Sequence, residues 1–256
     1  MRIPFYLPKI QLILYLGLIY LTAIINYPNF YTFIHLLLGV FYTVAADLIF
    51  LRIRKVKLFL PSAAVVTGII IALLISPNQP FYIPIIAAVL AMFSKNFIRV
   101  NNKHIFNPAA FGLFMAGIIL GFNISWWGVS FQNLLPLKLE SLFFLILLLP
   151  ALLSVIKLRR WGNVVTFLFV YYLTSFILTR NFGFNTLLDP TAIFFSLVML
   201  PEPITSPVKI NKQIMFGVMV AVLSYLLVMP EILAELIPDP LVAALLISNV
   251  IFFRIR

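Results

Sequence analysis

Thr191–Pro207 reads TAIFFSLVMLPEPITSP: ten uncharged residues, then an acid held between two prolines, two hydroxyls and a third proline. A simple helix end needs one proline. Here Pro201 and Pro203 each withhold an N–H, so regular helix cannot run through Glu202. The surrounding solvent decides what such a break means. Only 10% of the 256 residues are charged and 63% are hydrophobic, with a mean hydropathy of +1.13; a soluble domain carries about 25% charged residues. No soluble core of this size encloses so many Phe, Leu and Ile side chains, so the chain reads as a polytopic membrane protein.

Apolar segments fall at about 12–26, 33–51, 59–75, 81–93, 107–121, 141–156, 163–179, 187–200, 213–230 and 240–253. The basic-then-apolar start MRIPFYLPKIQLILYLGL shows no small-residue cleavage site, so the first span is expected to be retained. Lipid offers no partner to open sheet edges and period-two alternation is absent, so an all-α fold of about ten transmembrane helices is expected. The fourth, fifth and eighth segments are short and bounded by proline or asparagine, which marks them as tilted or broken.

With the N-terminus inside, all but Lys138 and Arg180 of the 18 basic residues fall in inside regions. Both termini are therefore expected in the cytoplasm, in a multi-pass protein of the cell (inner) membrane. The formal charge of +11 follows from this topology and does not point to nucleic acid. Cysteine is absent, which excludes disulfides, thiolate metal sites and cysteine-ligated iron–sulfur clusters, and His35 and His104 alone are too few for a bis-histidine haem stack. Ten spans divide into two halves of five. Because five is odd, the halves 1–130 and 131–256 of this single membrane domain are expected to be inverted repeats.

Several polar residues stand out against this background. Asp47, in YTVAADLIF, is either paired with a nearby lysine or arginine or is an ion- or proton-accepting acid, since carboxylates at membrane depth are costly. SKNFIRVNNKHIFNPAAFGLF, at 94–114, carries Lys95, Arg99, Lys103 and His104 and then Asn107-Pro108, a helix start. It is either a well-capped inside loop or an anion or cofactor-phosphate site, in which Lys95, Lys103 and the Asn107 helix terminus take the negative group. Asp189-Pro190 repeats the cap on the outside. Trp126 and Trp127 fit an outer aromatic belt, with stacking on a planar cofactor as the second reading. Glu202, Thr205 and Ser206, with freed carbonyls, make a hard-oxygen environment suited to Na+ or H+, and Asp47 is a further candidate ligand. Lys209 is the nearby cation that would otherwise satisfy Glu202.

Three stretches taken together resemble the membrane-subunit family that includes NqrB and RnfD, of the sodium-pumping NADH:quinone oxidoreductase and the Rnf ferredoxin:NAD oxidoreductase. They are SAAVVTGIIIALLISP at 62–77, SKNFIRVNNKHIFNPAAFGL at 94–113 and FFSLVMLPEPITSP at 194–207. Lys95 followed by Phe106-Asn107-Pro108-Ala109 matches one family pattern. Glu202-Pro203-Ile204-Thr205 stands where the family usually has Asp-Pro-x-(Ser/Thr). The likeness covers roughly residues 35 to 253. It implies ten spans, internal pseudo-symmetry, partner subunits of an Rnf/Nqr-type complex, and coupling of electron flow to Na+ or H+ movement.

One departure carries weight. The family commonly attaches FMN to the threonine of a Ser-Gly-Ala-Thr motif between spans five and six. Here that interval, residues 121–140, has no threonine, so covalent FMN is not expected. Non-covalent FMN or riboflavin remains open, with Trp126, Trp127 and Phe131 to stack on it and Lys138 to meet its phosphate. Loss of the motif also keeps open a stand-alone channel or carrier with the same fold and no redox role.

Overall fold

A computed structural model of the chain describes residues 8–129, 150–180, 189–230 and 235–255. The described helices are α1 Pro8–Asn26, α2 Phe30–Ile53, α3 Ser62–Leu74, α4 Tyr82–Phe97, α5 Pro108–Leu120, α6 with described residues 150–157, α7 Trp161–Thr179, α8 Pro190–Phe194, α9 Ile210–Leu226 and α10 Pro240–Phe252. Lys9–Asn26, Phe30–Ile53 and Trp161–Thr179 are long and apolar enough to cross a membrane by length and composition. The surface agrees with that medium. Leu14, Leu18, Phe33, Leu37, Phe41, Ile49, Val165 and Phe169 are exposed along α1, α2 and α7, as side chains facing lipid are.

Caps explain where several helices begin. Asn107 accepts from the Ala110 N–H and is followed by Pro108 at the first helical position. Asp189 accepts from Thr191 and Ala192 ahead of Pro190. Both follow the sequence expectation. A third copy of the device, Asp239-Pro240 at the start of α10, was not singled out in the sequence. Helix α5 ends on Gly121 at φ +68°, a left-handed cap suited to glycine.

α3 has only 13 residues, far fewer than the roughly 20 of a full span. Its C-terminal carbonyls find partners in the chain that follows α5. Gly128 N donates to Leu73 O at 2.9 Å, Ser125 N to Leu74 O at 3.0 Å, and Trp127 Nε1 to Ala72 O at 2.9 Å. The carbonyls at the end of this short apolar helix are thus satisfied by groups of another segment.

In the first half α2 packs on α3 and α4, and α4 on α5. In the second half α7 packs on α9 and α9 on α10, and α5 meets α10 between them. Small residues set the approach distances. A Cβ on Gly68 would lie 2.6 Å from Val40 Cα, and one on Gly112 would lie 2.3 Å from Ala87 O. These are the close backbone contacts that small residues permit in membranes.

The predominantly helical fold carries one short hairpin among the described residues. Arg99–Val100 and Lys103–His104 form a two-stranded antiparallel hairpin, with Arg99 opposite His104. Asn101 and Asn102 make its turn at φ +49° and +61°, the left-handed pair of a type I′ turn, which asparagine tolerates. The hairpin joins α4 to α5, so it lies outside the helical spans.

Candidate functional site

α8 does not simply stop before the acid. Phe195–Met199 continues it as a π-helix, closed by the Leu200 N–H on Phe195 O at 3.0 Å. Pro201 and Pro203 then end regular helix, as the sequence requires, and the chain turns around Glu202. Thr205 N and Ser206 N both donate to Glu202 O, at 3.2 and 3.0 Å, and Ser206 Oγ donates to the same carbonyl at 2.9 Å. The Thr205 hydroxyl donates to Glu202 Oε2. His104 Nε2 lies 3.1 Å from Glu202 Oε1. The carboxylate thus has a hydroxyl on one oxygen and an imidazole on the other. Its side chain is 22% exposed while His104 is 5% exposed, so the acid keeps a path to solvent.

Three helices converge behind this turn. Asn107 Nδ2 donates to Met199 O at 3.0 Å, taking a carbonyl at the end of the π-helix. Asn249 Oδ1, on α10, accepts from Asn107 N at 3.0 Å, and Asn249 Nδ2 donates to Thr205 O at 3.4 Å. The two asparagines are buried and tie α5, α8 and α10 at one depth. Arg160, buried at the start of α7, donates to Pro203 O at 3.1 Å. The non-helical backbone here is therefore surrounded by protein polar groups, the condition under which irregular backbone is tolerated in membrane proteins.

Asp47 lies in a neighbouring network. It is fully buried, with Lys95 Nζ at 2.7 Å from Oδ2 and Asn96 Nδ2 at 2.9 Å from Oδ1. Asn96 Oδ1 in turn accepts from Arg54 at 3.3 Å. The Lys95 ammonium also lies within the electrostatic influence of Glu202. Of the four oxygen-bearing candidates, the structure brings Glu202, Thr205 and Ser206 together, and it holds Asp47 in an ion pair with Lys95. Lys209 is exposed. Among the described residues no three His, Cys, Asp or Glu side chains converge on a common point. One carboxylate with neutral oxygens matches an alkali cation or a proton better than a transition metal.

The residues named for a flavin are engaged within the fold. Trp126 is buried, donates through Nε1 to Asp239 Oδ2 at 2.6 Å, and meets Phe194 and Phe195 edge-on. Its burial also takes it out of a lipid-facing aromatic belt. Trp127 donates to Ala72 O and meets Tyr20 edge-on. Lys95 serves Asp47, and Asn107 serves Met199 and its own helix. Lys103 is exposed on the hairpin. Phe131 and Lys138 lie outside the described residues.

Sequence reading missed Asn249 and Arg160. A lone asparagine in the apolar run LLISNVIFF was the available signal for the first. Arg160 looked like one more basic topology residue, and nothing local marks it as buried.

Residues 8–255 match the NQR2, RnfD, RnfE family, almost the whole chain. The chain belongs to the NQR2, RnfD, RnfE family. No curated protein matches it. Family membership, together with three helices of membrane-spanning length, makes it a multi-pass membrane protein of the Rnf/Nqr type.

Proposed function

We propose that this chain is a membrane subunit of an Rnf/Nqr-type electron transport complex that couples electron flow to movement of Na+ or H+, with Glu202 as the ion- or proton-accepting group. The observation that carries the reading is the Glu202 turn itself. A carboxylate on broken backbone, flanked by Thr205 and His104 and partly open to solvent, has both the charge and the access that an ion site needs. The basic residues around it favour a cytoplasmic position for this end of the bundle by the positive-inside rule. The repeated order of packing, α2 on α4 on α5 and α7 on α9 on α10, supports an inverted five-plus-five arrangement of about ten spans. Any flavin the protein carries is held without a covalent bond, since residues 121–140 contain no threonine. That same absence is what favours the second reading, a carrier that works without redox partners.

The test is redox-driven ion uptake in vesicles containing the assembled complex, with Glu202 or Gln at position 202. Glu202→Gln keeps the shape and one carbonyl oxygen but removes the charge. Assembly should survive while ion-coupled activity falls about tenfold or more, the scale of losing one interaction with a charged group. Full coupling in a folded Glu202→Gln complex would refute the assignment. Ion flux through the isolated chain would favour the carrier.

A further inference from the structure

The hairpin and the end of α10 enclose an open cavity of about 490 Å³. Lys103, Arg254 and Asn101 bring polar atoms to it, and Val100, Ile105 and Phe253 bring apolar ones. Among the described residues neither Lys103 nor Arg254 forms an ion pair with a carboxylate. Arg254 lies over the Phe253 ring, 5.5 Å from its centroid. Asn101 is fixed by the left-handed turn. The walls are thus cationic in part and apolar in part.

We propose that this cavity binds the phosphodiester headgroup of an anionic phospholipid. Its position favours that occupant. Helix α10 ends at Phe252, so Phe253 and Arg254 lie where a span leaves the hydrocarbon and headgroups begin. Basic pockets at such places hold anionic headgroups, and arginine offers paired donors to phosphate oxygens. The apolar walls of Val100, Ile105 and Phe253 have no use in binding free phosphate but suit the glycerol and upper acyl chain of a lipid. Lys103, one of the residues expected to meet an anion, faces this cavity together with Arg254.

The experiment is lipid retention by the purified protein, read by native mass spectrometry after exchange into mixed phosphatidylglycerol and phosphatidylcholine. The parent should retain phosphatidylglycerol with about tenfold preference or more, given the attraction that each basic residue adds near a membrane surface. The Lys103→Gln, Arg254→Gln double variant should lose that preference. Lys57→Gln, which removes an exposed charge from another cluster, should keep it. The two single variants should fall between, and they carry the test if the double variant does not fold. Inorganic phosphate in millimolar excess should not displace the lipid. No preference in the parent, or a double variant that matches Lys57→Gln, would overturn the proposal. Displacement by phosphate would overturn its assignment to lipid.

Discussion

Lys95→Met should destabilise the protein by about 3–5 kcal/mol, the cost of leaving one member of a buried ion pair uncompensated. Asp47 is fully buried and takes its main compensation from the Lys95 ammonium at 2.7 Å. The Asn96 amide at 2.9 Å would remain, but an amide donor does not neutralise a carboxylate. Adding Asp47→Asn to Lys95→Met should recover most of the loss, because the double variant buries no charge. Thermal unfolding of the three purified variants in detergent checks this. A Lys95→Met protein that unfolds at the temperature of the parent would show that Asp47 does not depend on the pair.

Asp239→Ala should cost about 2–4 kcal/mol through two separate losses. The first is the cap of α10, where Asp239 Oδ1 accepts from Val242 N at 2.8 Å; such caps contribute about 0.5–2 kcal/mol. The second is the partner of the buried Trp126 N–H, and an unsatisfied buried donor costs about 1–3 kcal/mol. The split can be measured. Trp126→Phe removes the indole donor and leaves the cap, so Asp239→Ala in a Trp126→Phe background should cost only the capping share. Asp239→Asn keeps an acceptor for the cap and should be milder than alanine. If Asp239→Ala costs the same with and without Trp126, the hydrogen bond contributes nothing.

The helical character and rough limits of most described helices were legible because each is a local property: an apolar run bounded by charge or proline. Asn107-Pro108 and Asp189-Pro190 were legible for the same reason, and Asp239-Pro240 carried the same signal unread. The pairings were not. Lys95 lies 48 residues from Asp47, and His104 lies 98 residues from Glu202. Which cation meets which acid depends on the relative depth of spans that the local pattern does not fix. Lys209 is near Glu202 in sequence, yet His104 reaches the carboxylate because the hairpin brings it back to the end of α8. The hairpin escaped notice because its strands have two residues each, too few for alternation to register. Trp126 illustrates the opposite error. An indole beside an apolar span suggests the lipid interface, while burial against Phe194 and Phe195 comes from the return of the chain onto α3.

Two acids now share one region of the membrane domain with different duties. Asp47 is fully buried in an ion pair with Lys95 that links α2 to α4, whereas Glu202 meets the Thr205 hydroxyl and the His104 imidazole and is 22% exposed. Lys95 feels both. The proposed ion- or proton-accepting group is Glu202, and the account stands on that assignment. Infrared difference spectroscopy of the purified protein reads it directly, with Na+ exchanged for choline at fixed pH and then with a step in pH. A cation bound at Glu202 shifts a carboxylate stretch, and a proton replaces that band with the carbonyl stretch of the acid. The parent should give one of these signals and Glu202→Gln should give neither; an undiminished signal in Glu202→Gln would contradict the assignment.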